Sequence, residues 1–168
     1  NARITETKRI QDIRENKMEE RNISFEDLGL SEAMLKALEQ KGYGYPTTIQ
    51  AEAIPPFLQW KDVIAKAPTG TGKTFAFGIP MIEHIDAASN EVQALILAPT
   101  RELAIQIGDE LRGLLTYFTG IRVAVLYGGA GIGSQIRQME KKPQIVVATP
   151  GRLMDHYKHH SIDISHVT

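Results

Sequence analysis

Ala67-Pro68-Thr69-Gly70-Thr71-Gly72-Lys73-Thr74 is the segment whose residue types and spacing point most directly to chemistry. Gly70 and Gly72 permit backbone angles that a side chain would obstruct, so successive amides can turn inward around an anion. Lys73 supplies a point charge for terminal phosphates, and the Thr74 hydroxyl can hold Mg2+, the pairing found where such a loop opens a helix. A generic phosphate loop begins with Gly, and Ala67 stands there instead. The competing account, an ordinary Gly-rich turn, gives no reason for Gly-Lys-Thr at a strand-to-helix junction. A dinucleotide-binding loop fails on its own pattern: Gly129-x-Gly131 is followed by Ser134, and Gly131-x-Gly133 by Ile136, where the third Gly belongs.

Elements able to position that loop can be read around it. Val63-Ile64-Ala65, Ala94 to Ala98, Val123 to Leu126 and Ile145 to Ala148 are short apolar runs of the length of strands buried on both faces. Amphipathic stretches over 73–88, 101–118, 132–142 and 151–159 predict helices between and after them. Upstream, Ser31 is a candidate N-cap for a helix carrying Met34, Leu35 and Leu38, with Gly42 closing it in a left-handed conformation. A second helix is expected after Pro46-Thr47, stopping near Pro55-Pro56, where a missing donor and ring clash oppose continuation. Alternating strands and helices imply a parallel sheet with right-handed crossovers and helices on both faces. The loops at 67–72, 99–100, 127–131 and 149–151 then gather at the carboxyl ends of the strands, where ligands bind in such sheets.

Composition narrows the class further. The chain has 168 residues with 42% hydrophobic content, enough for one domain with a real core. No apolar run approaches the roughly 20 residues a membrane helix needs, and the charged start does not resemble a secretory signal, so a cytoplasmic address and no membrane are expected. With no cysteines there is neither a disulfide framework nor a thiolate metal site. A net charge of -1 supplies no global basic field, so contact with nucleic acid would have to come from local geometry. His156, His159 and His160 cluster without a matching ligand set and read as an exposed, polar helix end. Residues 1–22 form a charged extension; 23–168 form the domain.

Five segments in order now carry a family resemblance. Tyr43-Gly44-Tyr45-Pro46-Thr47-Thr48-Ile49-Gln50, with Phe25 upstream, resembles the Q motif of DEAD-box RNA helicases. Ala67 to Thr74 resembles motif I, including its Ala start; Pro99-Thr100-Arg101-Glu102-Leu103-Ala104 resembles motif Ia; Gly128-Gly129 resembles the glycine doublet; Thr149-Pro150-Gly151-Arg152 resembles motif Ib. The likeness covers roughly residues 23–168. Thr48 replaces a common Pro, and Trp60 stands where the family often has Gly.

The resemblance implies an α/β, three-layer RecA-like phosphate-loop NTPase domain, the first of two such domains in the parent chain. It implies ATP and Mg2+ as ligands, held by Tyr43, Tyr45, Gln50, Ala67, Pro68, Thr69, Gly70, Thr71, Gly72, Lys73 and Thr74, with Lys73 and Thr74 acting in catalysis and Thr74 contributing to an incomplete metal site. Gln50 would read the adenine edge, because a side-chain amide both donates and accepts. Tyr43 would stack on the base, and Phe25 would brace the pocket. Pro99, Thr100, Arg101, Gly129, Thr149, Gly151 and Arg152 would meet the sugar-phosphate backbone of RNA without reading bases; for Arg101 and Arg152 a structural ion pair is the competing role. No Asp-Glu-Ala-Asp tetrad occurs in the chain, and the family would carry one in the next strand, so a C-terminally incomplete domain, inactive alone as an ATPase and unwinding enzyme, is expected. Another phosphate-loop enzyme, a small-molecule kinase or DNA translocase, stays open, with Gln50 the discriminating residue. So does a non-catalytic scaffold acting through the extension.

Overall fold

The computed structural model describes residues 23–168, and the charged extension at 1–22 lies outside them. A 3-10 turn at Phe25–Leu28 leads into helix α1, Glu32–Gln40. Ser31 caps α1, its hydroxyl oxygen accepting from the Met34 amide. The same hydroxyl donates to Glu83 Oε1 at 2.8 Å, which fixes α1 against a helix 52 positions away in sequence. Met34, Ala37 and Leu38 are buried at helical spacing, and Gly42 follows with φ 79°.

Helix α2 spans Thr48–Leu58 and α3 spans Lys73–Glu83. Helix α2 runs through Pro55 and Pro56 instead of stopping there. The prolines sit in its last turns, where they remove two donors, while Ile54 is fully buried and Phe57 and Leu58 pack against the core. Burying those side chains at about 25 cal/mol per Å2 outweighs the lost bonds. Trp60, just beyond, has φ 61°, the left-handed conformation for which Gly is the usual residue. Its ring lies on His84 with centroids 3.9 Å apart and planes at 28°, so stacking holds an unfavourable backbone in place.

The sheet consists of β1 (Ala94–Leu97), β2 (Val123–Leu126) and β3 (Ile145–Ala148), all parallel in the order β1-β3-β2. Leu95 pairs with Val146, and Ala124 pairs with Val146 from the other side. Helix α4 (Arg101–Leu114) carries the chain from β1 across β3 to β2; α5 (Ile132–Glu140) returns it to β3; α6 (Pro150–Lys158) follows β3. The expected strand at Val63-Ile64-Ala65 is not formed. A strand needs a backbone partner, no ladder among the described residues includes this segment, and Ile64 is fully exposed.

Alternation across the strands creates two cores. Val125, Ile145 and Val147 face α1, α2, α3 and α4, while Ala124, Leu126, Val146 and Ala148 face Met139 of α5 and Leu153 of α6. The architecture is therefore three-layered, as the alternating pattern predicts. Gly108 lets α4 approach β2 closely: a Cβ there would lie 2.4 Å from Val125 Cγ2. No helix among the described residues is long and apolar enough to cross a membrane.

Candidate functional site

The phosphate loop is built by what precedes and follows it. Gly70 and Gly72 adopt φ 81° and 82°, so each needs the freedom glycine provides. Gly72 is the N-cap of α3, and no side chain caps that end. The first amides of α3 thus keep the donors and positive dipole end that an anion requires. Thr71 Oγ1 donates to the Pro68 carbonyl at 2.7 Å, tightening the turn, and Lys73 Nζ donates to the Ala67 carbonyl at 2.8 Å. Lys73 is exposed, so its ammonium can leave that carbonyl for a phosphate. Thr74 is half-buried in the first turn, and Thr69 is exposed at the tip.

The segment 43–50 closes on this loop. Thr47 and Gln50 form a capping box at the start of α2: the Gln50 amide donates to Thr47 Oγ1, and the Thr47 amide donates to Gln50 Oε1 at 3.0 Å. Each side chain then reaches across. Thr47 Oγ1 donates to the Thr71 carbonyl at 2.8 Å, and Gln50 Nε2 donates to the Gly72 carbonyl at 3.2 Å. A Cβ at Gly72 would stand 2.3 Å from Gln50 Nε2, so this glycine is required by position as well as by φ. Tyr43 sets its ring edge-on to Phe75 of α3, with centroids 5.2 Å apart, which brings it beside the phosphate loop. Tyr45 is 70% exposed. Phe25 is buried in the core. The linking role of Thr47 was missed from the sequence, although Thr-x-x-Gln ahead of an apolar run is itself a capping signal.

A second group of loops lies at the carboxyl ends of the three strands. Thr100 caps α4, accepting from the Leu103 amide, and Pro99 is exposed before it. Arg101 is half-exposed and leans over Gly129, where a Cβ would meet its Nη1 at 2.7 Å; Gly129 has φ 87°. Thr149 N-caps α6 with no side-chain cap bond, its amide donating to Leu126, and Pro150 takes the first helical position. Gly151 is exposed. Arg152 is only 12% exposed in its side chain, and its Nη1 donates to the Ala130 carbonyl at 2.9 Å and to Gln135 Oε1 at 3.3 Å. Its Nε lies 3.5 Å from Asp155 Oδ2 without a hydrogen bond. Arg101, Gly129 and Arg152 therefore belong to one surface.

His156 departs from the expected exposed helix end. It is fully buried, between Ser161 Oγ at 2.7 Å and Gln135 Oε1 at 3.2 Å. Burial, then the Arg152 charge, hold its pKa below the usual value. It is turned away from any shared metal site with His159, whose Nδ1 faces the Asp155 carbonyl. Gln135 and His156 were not singled out as site residues because their contact spans 21 positions with no motif to mark it.

An uncapped helix end behind a glycine-rich loop, on a helix packed against a parallel sheet with helices on both faces, defines a RecA-like phosphate-loop nucleotide-binding domain. Residues 47–168 match the DEAD/DEAH box helicase family. The chain is 51% identical over 143 residues to the ATP-dependent RNA helicase CshA of Listeria monocytogenes, covering 85% of this chain and 27% of that protein. It is 48% identical over 148 residues to the DEAD-box ATP-dependent RNA helicase CshA of Geobacillus kaustophilus, covering 86% and 31%. The crystal structure of a DEAD box protein from the hyperthermophile Methanococcus jannaschii superposes with a TM-score of 0.80 at 41% identity, over 86% of this chain and 39% of that one. The chain belongs to the DEAD/DEAH box helicase family. It spans about a quarter to a third of the length of these curated relatives.

Proposed function

We propose that this domain is the ATP-binding part of an ATP-dependent RNA helicase, which in the full-length protein grips an RNA backbone and couples ATP hydrolysis to local duplex unwinding. The observation that carries the reading is the junction of two motifs: Gln50 bonded to the carbonyl of Gly72, directly before the uncapped start of α3. That junction couples a base-reading amide to the phosphate loop.

The chemistry expected of each group follows from its donors and acceptors. A triphosphate would replace the Ala67 carbonyl as the partner of Lys73, and the amides opening α3 would hold the phosphate oxygens. Thr74 fits Mg2+ as one hard oxygen ligand, and the ion, when bound with the nucleotide, would neutralise charge on the phosphates. A side-chain amide has two donor hydrogens and two acceptor lone pairs, and Gln50 uses one of each internally. The remaining pair matches the donor and acceptor on adenine. Tyr43, 48% exposed, is free to stack on the base.

Pro99, Thr100, Arg101, Gly129, Thr149, Gly151 and Arg152 would receive one RNA strand through amides and guanidinium groups, which recognise phosphate and sugar and leave sequence unread. A second RecA-like domain in the parent would close over the nucleotide and supply further charge stabilisation. The test is ATP hydrolysis by the full-length protein with and without single-stranded RNA. RNA-stimulated turnover, with ATP preferred over GTP, is expected; the 168-residue chain alone should show none. Equal use of ATP and GTP would instead favour a different phosphate-loop enzyme.

A further inference from the structure

Between α5 and α6 lies a buried polar network of Gln135, Arg152 and His156. Gln135 is its centre, 1% exposed in the first turns of α5. Its Nε2 donates to the Tyr127 carbonyl at 2.8 Å, and its Oε1 receives Arg152 Nη1 and His156 Nε2. The amide orientation follows from the partners, because a carbonyl can only accept and a guanidinium can only donate. Facing an acceptor, His156 Nε2 must carry the proton, and Nδ1 rests against the Ser161 hydroxyl, which also lies 3.1 Å from the His156 carbonyl. A buried ring held below its usual pKa keeps this neutral form.

Both ends of the glycine doublet are pinned by this network. Gln135 holds the carbonyl just before Gly128, and Arg152 holds the carbonyl just after Gly129. On the side where a side chain would stand, Gly128 faces open space and Gly129 faces the Arg101 guanidinium. The doublet's flanks are thus held by the buried Gln135 and the largely buried Arg152. In a buried polar network of this kind the bonds support one another, and one lost donor frees several groups together.

We propose that Gln135 and His156 are positioning residues for RNA: they hold Gly128, Gly129 and the Arg152 guanidinium in the arrangement that receives a sugar-phosphate strand, without touching it. The proposal rests on the RNA-binding reading above. It separates RNA affinity from nucleotide affinity, since none of the network's bonds reaches the phosphate loop.

The experiment measures two affinities of the full-length protein: a labelled oligouridine, by fluorescence anisotropy at saturating non-hydrolysable ATP analogue, and a fluorescent ATP analogue. His156→Leu removes the donor to Gln135 and should raise the RNA Kd about tenfold while the nucleotide Kd stays within about twofold. His156→Gln places an amide donor close to the position of Nε2 and should restore RNA binding to within about threefold of the parent. Ser161→Ala and Gln135→Glu extend the test should His156→Leu fail to fold; the first loosens the ring, and the second puts an acceptor against the Tyr127 carbonyl, so both should weaken RNA selectively. An unchanged RNA Kd in these variants, or RNA and nucleotide weakened to the same extent, overturns the proposal. If the unsubstituted protein binds nucleotide and no RNA, the functional reading fails, an outcome distinct from failure of the network alone.

Discussion

At the scale of single residues, Gln50 has two duties that one substitution should separate. Gln50→Glu keeps an acceptor for the Thr47 amide but sets a carboxylate against the Gly72 carbonyl and offers adenine no donor. The expected result is a loss of ATP-over-GTP preference together with weaker nucleotide binding, measured by competition titration; retained adenine preference would show that the amide does not read the base. His156 makes a prediction about pH. Its folded pKa is lowered from an ordinary value of 6.5 by burial, the Arg152 charge and His159, with Asp155 opposing. The unfolded chain therefore takes up a proton first as pH falls, so stability is unaffected above about pH 6.5 and declines below it until the folded pKa is reached. Urea midpoints at about pH 7.5 and pH 5.5 should differ by more in the parent than in His156→Gln. The phosphate loop was legible because its chemistry lies in eight consecutive residues. Partners such as Gln50 with Gly72, or Gln135 with His156, are 22 and 21 positions apart, and nothing local encodes them.

At the scale of elements, the glycines that admit close approach are the sensitive points. Gly108→Ala would drive a methyl group into Val125 where α4 crosses β2, costing about 1–3 kcal/mol through overpacking. A thermal melt should show the loss, while nucleotide affinity at temperatures where the fold persists should not change. Gly72→Ala differs in kind: it adds left-handed strain of about 1–2 kcal/mol and displaces Gln50 Nε2, so stability and nucleotide affinity should fall together. The strand and helix alternation was readable from apolar runs, and the helices at 73–83, 101–114, 132–140 and 150–158 follow it. Two local rules gave way to tertiary context. Pro55 and Pro56 did not end α2 because Phe57 and Leu58 are drawn into the core, and Val63 to Ala65 formed no strand because apolar character cannot supply a ladder partner.

At the scale of the whole molecule, a net charge of -1 is compatible with an RNA-binding role because the proposed contacts are loop amides and two arginines gathered at one edge of the sheet. The three parallel strands bring three sequence-distant loops to that edge, with a core packed on either face of the sheet. ATP and RNA would then meet the same domain through neighbouring loops, with the capping box of Thr47 and Gln50 tied into the phosphate loop on one side and the Gln135 network under the glycine doublet on the other. Everything above depends on α3 and Lys73 forming a triphosphate site. Calorimetric titration of Mg-ATP into the parent protein and into Lys73→Ala, both first shown to melt cooperatively, tests it directly. Binding at least about tenfold weaker is expected in the variant; equal affinity would mean that Lys73 holds no phosphate.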